Sequence, residues 1–138
     1  MKKGFTLTEL IVTIVLLAVL SSIAIPGFSK TAEKAAVTQA VAYLRMIKAG
    51  EQMYFSKNGV YIACTTKAAL KTSLGVEVTE EKFKFNVTLP TTTSFTARAL
   101  KGSAAPTNCT DANAICVSDQ GVWTGGATYA TLITKLNA

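Results

Sequence analysis

Hydrophobic and polar positions divide this chain into three stretches of different period. From Leu10 to Ser29 there is no charged residue, and Leu10 to Ile25 is almost entirely Leu, Ile, Val and Ala. As a helix, Leu10 to Phe28 would extend about 28 Å, close to the hydrocarbon thickness of a bilayer. One carboxylate, Glu9, heads this run, a few residues beyond the basic start Met1-Lys2-Lys3-Gly4. A secretory signal peptide also has a positive start and an apolar core before a small-residue cleavage site. Ser21-Ser22-Ile23-Ala24 imitates such a site, but Glu9 inside the apolar start and the helical pattern beyond Pro26 argue against it.

That second stretch, Lys30 to Phe55, has the period of an amphipathic helix. Val37, Ala40, Val41, Leu44 and Ile47 recur three and four apart and define one face. Glu33, Lys34, Thr38, Arg45, Lys48 and Gln52 fall mostly on the other. Pro26-Gly27 interrupts the middle, and a proline within a helix removes one hydrogen bond and bends the axis. The pattern therefore predicts one long helix of about fifty residues, kinked at Pro26, with an independent anchor joined to a separate helix as the alternative. Asn58-Gly59 ends it with residues that tolerate a left-handed conformation.

The third stretch changes to period two. After a short helical turn predicted at Lys67 to Leu74, Gly75-Val76-Glu77-Val78 leads into strand-like sequence. Phe83 to Leu89 alternates apolar and polar, Pro90-Thr91-Thr92-Thr93 makes a turn, and Ser94 to Leu100 alternates again. The short connection pairs these two as antiparallel strands. Lys101 to Asn113 is turn-rich, Ala114 to Ser118 is a third strand, and Val122-Trp123-Thr124 is a candidate fourth after the turn Asp119-Gln120-Gly121. Tyr129 to Leu136 carries too little signal to assign beyond a closing helical turn. The fold class expected is α+β: a long bent N-terminal helix packed on a small antiparallel sheet of three to four strands.

Composition fits that division. The chain is 49% hydrophobic with a mean hydropathy of +0.34, high for a soluble domain but natural for an apolar segment plus a domain. There is no histidine, which removes the commonest general base and metal ligand together. No Ser, Cys or Lys has a plausible base beside it, so no catalytic site, metal site or cofactor is expected. The net charge is +6, and its cations are scattered, so nucleic-acid binding is permitted but not indicated.

Lys3-Gly4-Phe5-Thr6-Leu7-Thr8-Glu9-Leu10, followed by the apolar run and Ile25-Pro26, closely resembles the N-terminus of type IV prepilins and pseudopilins. The resemblance implies cleavage by a dedicated membrane peptidase between Gly4 and Phe5, with N-methylation of the new terminal Phe5. It also makes Glu9 the assembly glutamate and Pro26 the proline within the N-terminal helix. It covers about the first thirty residues firmly and the rest in outline. In one departure, Ala18 stands where many members carry a mid-run glycine. Loss of Lys2 and Lys3 with the leader would lower the net charge by two, to +4.

The chemistry of Glu9 follows from its surroundings. An ionised carboxylate among apolar groups is costly unless paired or protonated. Cleavage supplies an α-amine at Phe5, with an unperturbed pKa near 8. If that amine belongs to a neighbouring chain, pairing is satisfied only in register, which makes Glu9 a register device. Pairing with Phe5 of its own chain, or service as a helix-start charge, are the alternatives.

Three cysteines cannot all pair within the chain. A domain outside the membrane would sit in an oxidising compartment, and Cys109–Cys116, closing a small loop, is favoured, with Cys64 a buried thiol. Cys64 paired with Cys109 or Cys116 stays open as the rival. The family often has a disulfide-bounded loop near its C-terminus, though typically a longer one. Glu77, Glu80 and Glu81, and separately Asp111 and Asp119, are weak calcium candidates that read better as solvated turns. Asn86-Val87-Thr88 and Asn108-Cys109-Thr110 fit a glycosylation sequon, but Asn86 reads as an outward polar strand position. Tyr43, Tyr54, Phe55 and Tyr61 read as packing rather than an electron-carrying stack.

The expected organisation is a leader at 1–4, a hydrophobic transmembrane and filament-core helix at 5–28, an amphipathic second half at 29–57 and a β-sheet head at 58–138. The resemblance implies a subunit of a type IV pilus serving adhesion, twitching motility or DNA uptake. It would be made in the bacterial inner membrane, in contact with lipid, and exported as an extracellular filament. Its implied partners are copies of itself through the N-terminal helices, the prepilin peptidase and methyltransferase, and an inner-membrane assembly platform. A major pseudopilin of a type II secretion system is the alternative, with an accessory minor pilin behind it. From a different class, the chain would be a membrane-anchored binding domain that never polymerises.

Overall fold

The computed structural model describes residues 4–79, 82–91, 93–102, 104 and 107–138, without the side chains of 23–27 and 90. Helix α1 spans Leu7–Asn58 and passes through Pro26. The kink expected there falls on residues whose side chains lie outside those described. Gly59 closes α1 in the left-handed region at φ 74°, its N–H donating to Phe55 O at 2.7 Å. The chain divides into two compact units, Met1–Ala35 and Ala36–Ala138.

In the second unit the predicted face of α1 is buried: Ala40, Val41, Leu44 and Ile47 belong to one hydrophobic core. Helix α2, Lys67–Leu74, begins where Thr66 Oγ1 accepts the N–H of Ala69 and ends at Gly75, φ 68°. It contributes Leu70 to the same core.

The sheet is a four-stranded antiparallel meander in the order β1 (Phe83–Thr91), β2 (Ser94–Lys101), β3 (Ala114–Ser118) and β4 (Trp123–Gly125). Phe85, Ala99 and Ile115 share one inward row, and Val87, Ala97, Val117 and Trp123 the next. The small residues on β2 leave room for larger ones on its neighbours, as interdigitated packing requires. Tyr43 of α1 meets Phe85 edge-on with ring centroids 5.5 Å apart, and Tyr61 contacts both Phe55 and Phe95. Of the rings read as packing residues, Tyr43, Phe55 and Tyr61 thus lie in ring contacts.

Strand β1 extends through Pro90 to Thr91, into the expected turn, with its register shifted between Thr88 and Thr91. An edge strand tolerates a proline there because no ladder hydrogen bond is needed on the open side; Thr92 lies outside the described residues. A lone bridge, Cys64 to Val87, covers part of that edge through two backbone hydrogen bonds of 3.2 and 2.7 Å. The tail forms a 3₁₀ turn, Ala127–Tyr129, and helix α3, Ala130–Leu136. Asn137 then clips it to β4 by accepting the N–H of Trp123 and donating to its carbonyl, both at 2.8 Å.

Candidate functional site

The N-terminal unit places the sequence motif at a helix start. Gly4, Phe5 and Thr6 precede α1 in no regular structure. Thr6 N–H and Thr6 Oγ1 both donate to Glu9 Oε2, at 2.9 and 2.8 Å, while Glu9 N–H donates to Thr6 Oγ1 at 3.3 Å. This is a reciprocal capping box, in which cap and third helical residue satisfy each other's free backbone donors. It stops the helix at Leu7, so Phe5 stands ahead of α1 rather than inside it. The four-residue signature Thr6-Leu7-Thr8-Glu9 was in the sequence and points to this role, which the assembly reading of Glu9 passed over.

Behind the cap, Leu10, Ile11, Val12, Ile14, Val15, Leu16, Leu17, Val19 and Leu20 are all exposed, as is Phe5 at 80%. Thr13 and Ser22 return their hydroxyls to the carbonyls of Leu10 and Val19, each at 2.7 Å. The helix therefore offers an apolar surface on which the Thr13 and Ser22 hydroxyls are satisfied from within, as a non-aqueous environment demands. Among the described residues no helix is long and apolar enough to cross a membrane.

In the second unit Cys109 and Cys116 form a disulfide with Cα atoms 5.9 Å apart, and Cys64 is a buried free thiol. Cys116 shares the outward row of the sheet with Asn86, Arg98 and Thr124. Asn86 stands on the outward row, where the sequence reading put it, but is only 6% exposed. Beside it in the register, Arg98 Nη1 donates to Thr107 O at 2.9 Å. Asn108, the other sequon asparagine, is committed to its own turn, Oδ1 accepting from Thr110 N, Thr110 Oγ1 and Asp111 N.

Among the described residues the acidic candidates do not converge. Glu77 pairs with Lys71 at 3.0 Å, which holds its carboxyl below the usual range. Glu80 and Glu81 lie outside the described residues. Asp111 accepts from Thr107 and Asp119 from Gln120. Among the described residues no three His, Cys, Asp or Glu side chains are grouped to hold a metal ion.

One functional-looking residue escaped the sequence reading. Glu51 follows Ile47 by one turn on the core face of α1 and is fully buried. The three-and-four spacing that ran through Leu44 and Ile47 reaches it directly, but a polar residue broke the apolar pattern.

Sequence models place residues 1–25 in the prokaryotic N-terminal methylation motif. The chain is 31% identical over 93 residues to the type IV wide pilus major component PilA4 of Thermus thermophilus, covering 67% of this chain and 69% of that protein. It is 27% identical over 77 residues to the type IV major pilin protein PilE of Neisseria gonorrhoeae, covering 56% of this chain but 46% of that protein. Among solved structures it resembles a type IV pilin from Shewanella oneidensis at TM-score 0.43 and 18% identity, over 61% of this chain and 81% of the other.

Proposed function

The chain belongs to the type IV pilin family, and from that premise we propose that it is a structural subunit of a type IV pilus, cut after Gly4, N-methylated at Phe5 and polymerised through its N-terminal helix. The observation that carries this reading is the apolar surface from Phe5 to Leu20, exposed along its length behind a single carboxylate. A contiguous apolar surface of that size needs lipid or other protein to cover it. In the proposed sequence of events lipid covers it in the inner membrane, and other subunits cover it in the filament. The role is structural, as it is for the named relatives.

Glu9 serves twice in this scheme. Before cleavage, Phe5 N is an amide without charge, and Thr6 supplies the donors. Cleavage creates a positive amine one residue before Thr6, and a carboxylate entering an apolar helix bundle gains from pairing with it. Pairing to the Phe5 amine of a neighbouring subunit fixes register. The peptidase and methyltransferase act first, and an inner-membrane platform then extracts the subunit.

The test is the intact mass and N-terminal fragmentation of protein sheared from the cell surface. A chain beginning at N-methyl-Phe5 is expected. A chain beginning near Ile25 would mean that a signal peptide was removed. Chains beginning at Met1 and confined to membranes would mean a non-polymerising anchored domain.

A further inference from the structure

Buried Glu51 belongs to the second unit and has no part in the filament chemistry above. Its Oε2 accepts the backbone N–H of Ile62 at 3.1 Å, and its Oε1 has no hydrogen-bond partner. Ile62 lies in the 59–66 connection between α1 and α2, which is also held by the Gly59 N–H to Phe55 O, by Tyr61 stacked on Phe55 and by the Cys64–Val87 bridge at the sheet edge. Between Tyr61 and Cys64 the backbone is tied to α1 by one hydrogen bond, and its acceptor is an ionisable group.

The groups around that carboxyl do not compensate its charge. On α1 the nearest cations in sequence are Lys48, whose ammonium lies over Gly121, and Lys57, which is exposed in the last turn. From the connection the titratable groups are the Cys64 thiol and the Tyr61 phenol, whose ring lies between Phe55 and Phe95. From α2, Ser73 reaches that thiol, Lys71 is committed to Glu77, and Lys67 is exposed. From β1 the residue bridged to Cys64 is apolar Val87. Among the described residues no cation pairs with Glu51.

We propose that Glu51 is a proton-operated latch: protonated, it holds the 59–66 connection closed on α1, and ionised, it lets that connection open to water and expose Cys64. A carboxylate with an unpartnered oxygen in an apolar surround is unstable, and opening rehydrates it. Burial pushes the Glu51 carboxyl up from 4.5 to about 6, against the smaller opposite effect of the Ile62 N–H. The closed state therefore keeps its full advantage below about pH 4.5 and loses it as pH rises through about 6. Across that window the opening equilibrium rises about 30-fold and is level beyond it. The thiol, pushed up to about 11 by burial and then by Glu51, stays protonated throughout.

The experiment uses the full chain in detergent micelles and follows Cys64 with an aryl disulfide reagent that reacts at acid pH. Each rate is divided by that of the urea-unfolded chain at the same pH. The expected result is a rise of about 30-fold with a midpoint near pH 6. Glu51→Gln, which keeps an acceptor for Ile62, should give a level profile. A level wild-type profile, or a step that survives in Glu51→Gln, overturns the latch. Should Glu51→Gln not fold, infrared titration of the wild-type buried carboxyl decides: a midpoint near 6 supports the latch, and one at the ordinary value overturns it.

Discussion

Thr6 and Glu9 are bound to each other by three hydrogen bonds, so helix capping and the proposed subunit pairing draw on the same carboxylate. Two substitutions separate these uses. Thr6→Val keeps the side-chain shape and removes the hydroxyl, which should speed amide exchange in the first turn of α1 roughly fivefold, the scale of a lost cap. Because Glu9 keeps its charge, Thr6→Val should still yield sheared filaments. Glu9→Ala should leave the protein in the membrane fraction and abolish filaments. Equal loss of filaments from both would mean that the cap, not the charge, is what assembly requires. Normal filament yield from Glu9→Ala would remove the pairing role altogether.

Among the elements, the segment joining β2 to β3 is held at several points. Besides the disulfide, Thr128 N–H donates to Ala112 O and Thr128 Oγ1 to Asn113 Oδ1, while Arg98 grips Thr107. Gly126 packs so near this segment that a Cβ there would lie 2.0 Å from Asp111 O. The cross-link spans a sequence separation of only 7, so its removal in Cys109→Ala with Cys116→Ala should cost about 2–3 kcal/mol. Denaturant unfolding of the purified chain measures this, and a loss near zero would mean that the hydrogen bonds alone fix the loop. The elements most legible in the sequence were those with an uninterrupted period. Alternation located β1 and β2, and the three-and-four spacing located the core face of α1. The fourth strand was placed a residue early because Val122 looks like a strand residue yet is exposed, whereas Trp123 carries the burial. Helix α3 gave little signal because it has no fully buried residue, and Leu132, Ile133 and Leu136 only flank the core. Glu51 and the Thr6 cap were missed for a common reason: each is a polar residue whose role depends on a partner's position, which periodicity does not record.

At the scale of the whole molecule, apolar surface is distributed unevenly between the two units. The second unit assembles its core from Ala40 through Tyr129, carries a disulfide and the Asn137 clip, and among the described residues leaves only scattered large apolar side chains exposed, Met46, Met53, Val60 and Val122. The uninterrupted exposed run belongs to the first unit. A domain of about 100 residues with one disulfide is large enough to be stable alone. Removing residues 1–27 should therefore give a soluble monomer that unfolds cooperatively, with a Tm within a few degrees of the full chain in micelles. Sedimentation and thermal unfolding check this directly. The shortened chain should also fail to enter filaments when made beside the intact protein, because the surface proposed to polymerise has been removed. If instead it aggregates or melts without cooperativity, the core between α1 and the sheet needs the N-terminal half of the helix. Division of labour between an apolar assembly segment and a self-sufficient head would then be lost.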